Sequence, residues 1–169
     1  MNQSATTATS VNTSTTGPMF TGELGFLSNF HQAPFHMPQL GGIVKTGEHA
    51  FNALKTLDPT EQAHVLAAAT PAEAKRRGRR VTLRPGWDTG ARVQAMQQTL
   101  VAKFTDPDLR ARLVATGDLP LVETNTWHDN FWGSCQCARC VTKTKVNMLG
   151  ELLMALRTRY VDLAMTPGF

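Results

Sequence analysis

Short blocks of this chain carry the side chains able to do chemistry: Phe26-Leu-Ser-Asn-Phe30, Gly47-Glu-His-Ala-Phe51, Glu73-Ala-Lys75, Gly86-Trp-Asp88, Asn130-Phe-Trp-Gly133 and Asn147-Met-Leu-Gly-Glu-Leu-Leu-Met154. In each, polar groups sit among aromatics or close to glycine. Buried Asn, Glu and Asp need partners or cost stability, whereas a small-molecule pocket needs apolar walls with a few placed polar groups. The pattern therefore points to a binding site. Glu48, Asn52 and Lys55 recur at i, i+4 and i+7 of a short helix opened by Thr46 or Gly47, lining one face while Phe51 and Leu54 face elsewhere. The ordinary reading of such spacing is a solvated polar face with Glu favoured by the helix dipole.

A second constellation is metallic in character. All 3 cysteines fall in Cys135-Gln-Cys-Ala-Arg-Cys140, and His128 precedes them. Three sulfurs and one nitrogen suffice for tetrahedral zinc, which would be structural because four protein ligands leave no position for water. The compact Cys-x-Cys-x2-Cys spacing equally suits free cytosolic thiols or a redox-sensitive pair. Lys75-Arg-Arg-Gly-Arg-Arg80 concentrates positive charge, either as a solvated helix end or as a site for phosphate.

These groups must be positioned by a mainly α (α+β) fold with five or six helices and a few short strands. Residues 1–18 are Ser, Thr and Asn with few large apolar side chains, and are expected to be a disordered tail before a domain over 19–165. Pro34, Pro38 and Gly41-Gly42 punctuate extended pieces as a hairpin or loop would. Asp58-Pro-Thr-Glu61 and Thr70-Pro-Ala-Glu73 each predict a helix start, with a cap, Pro at the first helical position and Glu three residues after the cap. Asp88 is expected to cap a helix with Val93, Met96, Leu100 and Phe104 on its apolar stripe, and Asp106-Pro107 to begin another that Gly117 ends. Residues 121–124 read as a strand. The last helix starts near Asn147, turns Leu149, Leu152, Leu153 and Leu156 inward, and sets Arg157 and Arg159 against its C-terminal dipole.

The chain has 169 residues, 41% hydrophobic and 18% charged, which fits one domain with its own core. Its charge of +4 tolerates anionic partners without the excess of a histone-like protein. No apolar run approaches the roughly 20 residues of a membrane span, and no signal-peptide pattern opens the chain. The expectation is cytoplasmic residence with no membrane partner.

The ordered blocks quoted above resemble the NADAR family of YbiA-like N-glycosidases from about Met19 to Tyr160. The resemblance implies a compact, mainly helical domain that cleaves N-glycosidic bonds, acting on ribosylaminopyrimidine phosphates of the riboflavin pathway or on ADP-ribose attached to a base such as guanine in DNA or RNA. It makes Glu48 the first catalytic carboxylate. Cleaving a C1′–N bond builds positive charge on the sugar, which a carboxylate can stabilise or match by activating water while a second acid protonates nitrogen. Asp129, in His-Asp-Asn-Phe-Trp-Gly, is the candidate for the second acid, and a turn-capping role competes with it. Lys55 can bind phosphate or attack an opened sugar aldehyde as an amine. Trp87 and Trp132 are expected to frame the pocket. Ser28, Asn29, Phe30 and His49 join them as substrate-binding candidates. Asn147 is a further candidate, set against its commoner use as a helix cap. No cofactor is required for this chemistry. A non-catalytic reader of ADP-ribose and a zinc-stabilised nucleic-acid-binding protein are the competing functions.

Overall fold

A computed structural model describes residues 20–165. The tail expected over residues 1–18 lies outside the described residues. The described chain is mainly α, with six α-helices, three 3-10 turns and two small sheets. Among the described residues before 46 there are a 3-10 turn over Gly22–Leu27 and a hairpin of β1 (Phe35–Met37) and β2 (Gly42–Val44), whose connection holds a second 3-10 turn over Pro38–Leu40 and whose strands pair antiparallel with Phe35 opposite Val44.

Helix α1 (Gly47–Ala53) is the centre of the molecule, and all of its residues are buried. It packs on α2 (Pro59–Leu66), α3 (Pro71–Arg77) and α4 (Ala91–Lys103). Helices α2 and α3 begin where the caps predict. Asp58 accepts from the amides of Thr60 and Glu61, and Thr70 accepts from that of Glu73. The acidic residues after the caps act further afield. Glu73 accepts from the Ala69 amide, while Glu61 leaves its own helix to bond Thr56 and Thr82.

Two helix boundaries differ from expectation. Asp88 does not cap α4, because Trp87–Thr89 forms a separate 3-10 turn and Gly90, at φ 139°, breaks the helical path before Ala91. The buried stripe of α4 is Ala95, Met96, Thr99, Leu100 and Lys103, with Val93 only half-buried. Helix α5 (Pro107–Ala115) is capped by Asp106 and followed by Gly117, as expected. Helix α6 (Met148–Met165) runs past Arg157 and Arg159, so neither lies in its last turn. Arg157 instead bonds the Thr116 hydroxyl and the Leu119 carbonyl. Leu149, Leu153 and Leu156 face the core as predicted, and Leu152 is half-buried against it.

The strand expected over residues 121–124 is shifted and shorter. β3 (Thr124–Asn125) pairs in parallel with β4 (Ser134–Cys135). The residues just before β3 are fixed by side chains instead of a ladder. Asn147, at φ 52°, accepts from the Glu123 amide at 3.0 Å and donates to the Leu121 carbonyl at 2.8 Å. Two glycines let backbone close in around this segment. A Cβ on Gly150 would collide with the Leu121 carbonyl oxygen, and one on Gly133 with that of Glu123. Gly150→Ala should therefore destabilise the fold by about 1–3 kcal/mol through overpacking. Gly25→Ala, where an added methyl meets nothing, should change it by under about 0.5 kcal/mol. Urea unfolding of the two variants checks this.

Candidate active site

A cleft of about 840 Å³ opens against α1, within the size range of small-molecule sites. Glu48 and Asn52 on α1 and Lys55 just beyond its end line it, as their spacing predicts. Phe51 does so too, contrary to expectation. Lys75, Arg76 and Arg79 from α3 and the turn after it add positive charge. The lining also includes Ser28, Asn29 and Phe30 from just after the first turn, and Glu123, Trp127, Asp129 and Trp132 from the segment around β3 and β4.

Glu48 is buried and held from two sides. Its amide donates to the Asn29 carbonyl at 2.9 Å, and the Asn52 side chain donates to its Oε2 at 2.8 Å. Burial raises its pKa against the opposing pull of Lys75, the Asn52 hydrogen bond, Lys55 and Arg79. Lys55 shifts the other way, since burial lowers its pKa while Glu48 opposes that change. Its ammonium also lies 5.5 Å from the centre of the Phe51 ring.

Glu123 is the residue that the sequence reading missed, having been taken as part of a strand. Burial, reinforced by the nearby charges of Asp129 and Glu48 and opposed by Lys75 and Lys103, pushes its pKa up to about 7. Its Oε2 is buried with no hydrogen-bond partner among the described residues, as are Asn29 Oδ1 and Asn52 Oδ1. The available signal was Leu121-Val-Glu-Thr124 itself, a lone acid in an apolar run close in sequence to Asp129. Lys103 is the second missed group. Fully buried, it donates to the carbonyls of Phe26 at 2.6 Å and Ser28 at 2.8 Å, fixing the turn that carries Ser28 and Asn29. Burial lowers its pKa to about 7, with Glu123 opposing.

Asp129 takes the turn-capping role and also lies at the cleft. Its Oδ1 accepts from the amides of Phe131 at 3.1 Å and Trp132 at 2.8 Å, which closes the turn, and the residue still lines the cleft. Trp132 meets Phe51 edge-on at 5.2 Å and forms cleft wall as expected. Ser28 accepts from the Phe30 amide, and Phe30 is an exposed lip whose ring lies 5.6 Å from the Lys75 ammonium.

Three substrate-binding candidates are corrected. Trp87 does not line the cleft. It is 8% exposed and packs 5.5 Å from Phe51, supporting the wall from within the core. Trp127, 56% exposed, lines the cleft where Trp87 was expected. His49 is buried away from the cleft, its Nε2 3.1 Å from the Ala68 carbonyl and its Nδ1 2.8 Å from the Thr46 hydroxyl. Burial lowers its pKa, so the neutral ring donates from Nε2 and accepts at Nδ1. Asn147 spends its amide on Leu121 and Glu123, and thus acts on the site only through the segment it holds.

The metal-ligating candidates do converge. The donor atoms of His128, Cys135, Cys137 and Cys140 all lie within 4.8 Å of one another, a group able to hold a metal ion. No helix among the described residues is long and apolar enough to cross a membrane.

The profile of the NADAR domain matches residues 19–160. The chain is 36% identical over 150 residues to N-glycosidase Npun_R5314 of Nostoc punctiforme, covering 85% of this chain and 90% of the relative. It is 36% identical over 138 residues to N-glycosidase YbiA of Escherichia coli, covering 80% and 81%. The NMR structure of the E. coli protein YbiA superposes with a TM-score of 0.74 at 31% identity, over 90% of this chain and 87% of that one. The protein belongs to the NADAR domain family. The relatives named here are N-glycosidases, hydrolases of N-glycosyl bonds.

The two tryptophans separate wall from lip. Trp87→Ala should cost about 3–5 kcal/mol of stability, whereas Trp127→Ala should leave the thermal midpoint unchanged and weaken only ligand affinity, as thermal melts and calorimetric titration can compare. The raised pKa of Glu123 also sets a sign. A group whose folded pKa lies above its unfolded value adds stability below the unfolded value and loses it as pH rises through the folded one. Glu123→Gln should therefore change stability little at pH 5 and raise it at pH 8.

Proposed function

We propose that the cleft hydrolyses the bond between C1′ of a ribosyl group and a nitrogen base, with an ADP-ribosylated nucleobase such as guanine as the leading substrate class. The observation that carries this reading is the pairing of Glu123, held neutral up to about pH 7, with Glu48, which faces several cations in the same cleft. Burial raises both carboxyl groups, but the Asn52 hydrogen bond and the charges of Lys75, Lys55 and Arg79 oppose the rise at Glu48, whereas the charges of Asp129 and Glu48 reinforce it at Glu123.

In this reading Glu123 delivers its proton to the departing nitrogen as the C1′–N bond breaks. Glu48 stabilises positive charge on the sugar and takes a proton from the water whose oxygen bonds to C1′. The products are a free sugar hydroxyl and an N–H base, so one water balances the reaction. Asp129 keeps Trp132 in place, and its charge adds to the burial that keeps Glu123 protonated. Lys55, Lys75, Arg76 and Arg79 supply the positive wall for a diphosphate. Trp127, Trp132 and Phe30 supply aromatic faces for a base.

Four cations and a cleft of about 840 Å³ favour a diphosphate-bearing group over the smaller ribosylaminopyrimidine monophosphate. ADP-ribosylated DNA or RNA is the macromolecular partner this implies. No cofactor enters the scheme. A reducing cytoplasm suits the free thiols of Cys135, Cys137 and Cys140. Lys55, with its amine pKa lowered by burial, allows a covalent variant in which the neutral amine bonds to C1′ as the C1′–N bond breaks and its proton leaves with the base. The ring then opens to a Lys55–sugar imine, and one water hydrolyses that imine to the free sugar and the amine. Borohydride trapping of a sugar adduct on Lys55 would establish that route, and its absence during turnover would leave Lys55 a phosphate contact.

Mass spectrometry of products from ADP-ribosylated guanine DNA and from a ribosylaminopyrimidine phosphate tests the reading. Sugar release should fall about 100-fold or more in Glu48→Ala, while much of the ligand affinity remains. In the wild type, kcat/KM should decline as pH rises through about 7, when Glu123 loses its proton, and Glu123→Gln should abolish that limb along with most of the rate. Binding of ADP-ribose without release from either substrate would instead assign the cleft to a non-catalytic reader.

A further inference from the structure

Outside the cleft, the densest cluster of reactive side chains is the loop over residues 128–140. Cys135 and Cys140 are buried, Cys137 is half-buried, and none of the three forms a disulfide. The Nδ1 atom of His128 lies 3.2 Å from the Cys137 sulfur and 3.4 Å from that of Cys140. Zinc–sulfur bonds of about 2.3 Å and a zinc–nitrogen bond of about 2.0 Å give a tetrahedron whose edges are about 3.5–3.8 Å. The observed separations approach those edges, and the whole donor set spans no more than 4.8 Å.

The surrounding backbone is shaped for the same purpose. His128 is a non-glycine residue at φ 69°, a conformation that brings its ring to the sulfurs. The chain turns back between Cys137 and Cys140, with the amides of Cys140 and Val141 both donating to the Cys137 carbonyl at 2.9 and 3.0 Å. Three thiolates and a divalent ion leave one net negative charge, and Arg139, Lys143 and Lys145 lie in or just after the loop.

We propose that His128, Cys135, Cys137 and Cys140 form a closed structural site for one zinc-class divalent ion, which staples the loop bearing Asp129 and Trp132 to strand β4. Cys135 is the residue through which the staple reaches the cleft. It lies in β4, opposite Asn125 of β3. Asn125 in turn donates to the Asp129 carbonyl at 2.7 Å, and the Ser134 amide donates to the Glu123 carbonyl at 2.8 Å. Binding the ion fixes Asp129 and Glu123 relative to each other with no part in bond cleavage, because four protein ligands leave no coordination position for water. The proposal stands independently of the glycosidase reading, since metal content and spectrum can be read without substrate.

The test is elemental analysis of the full chain purified under reducing conditions, followed by cobalt(II) titration of the metal-free protein. The expected result is near one zinc per chain. Cobalt should give sulfur-to-metal charge-transfer absorption together with the intense visible bands of a tetrahedral ion. Cys137→Ser and His128→Ala should lower zinc affinity at least about 10-fold. Hydrogen exchange should show that metal removal exposes residues 123–146 while α4 and α5 stay protected. A zinc content near zero, with free reduced thiols and no tetrahedral cobalt spectrum in the wild type, would overturn the site whatever the variants do. Exchange unaltered by removal of a bound ion would overturn the stapling role.

Discussion

A short helix buried on every side has to place polar groups where they cannot reach bulk water, and α1 does this with Glu48, His49 and Asn52 in consecutive turns. Each must find a partner inside the protein or meet the cost of desolvation. His49 is satisfied by Thr46 and Ala68, which locks the start of α1 to the end of α2. Glu48 is satisfied on one side only, by Asn52, and its remaining compensation comes from the cations of α3 and from Lys55. The cleft exists because the helix that fills the core also presents a carboxylate that the core cannot neutralise. Lys75, Lys55 and Arg79 act on that carboxylate, and with Arg76 they give the cleft its positive lining.

The opposite wall depends on a different constraint. The segment carrying Glu123 has little sheet of its own and is held by the Asn147 side chain, by the Ser134 amide and by close backbone approach at Gly133 and Gly150. Held this way, Glu123 cannot relax toward solvent, and its proton becomes hard to remove. Lys103, buried beneath the first turn, faces the same electrostatic problem with the opposite sign. The two groups pull on each other's charge from neighbouring parts of the core, so the turn bearing Ser28 and Asn29 and the segment bearing Glu123 are electrically coupled as well as packed together.

Features governed by local chemistry were readable from the residues. The caps at Asp58, Thr70 and Asp106 act within one helical turn, and each begins a helix where the sequence places it. Glu48, Asn52 and Lys55 share one face because helix geometry dictates it, and the cysteines are close because the chain between them is short. Features governed by distant contacts were not readable. Nothing local distinguishes Trp87, which supports Phe51 from the core, from Trp127, which is exposed at the cleft lip. Nothing local shows that Arg157 serves Thr116 and Leu119, because the reach of α6 beyond it is what removes Arg157 from the helix end.

The sequence by itself therefore determined a mainly helical domain, the polar face of Glu48, Asn52 and Lys55 and the donor set of the cysteine loop. These follow from spacing along the chain, where separations of a few residues translate directly into shared faces and shared turns. Only the tertiary structure decided that Glu123 shares one cleft with Glu48, that Asp129 closes a turn as well as lining the site, and that His49 and Asn147 spend their polar atoms on partners inside the fold. Burial and the field of distant charges set those roles, and both quantities come into being only when segments far apart in sequence are packed against each other.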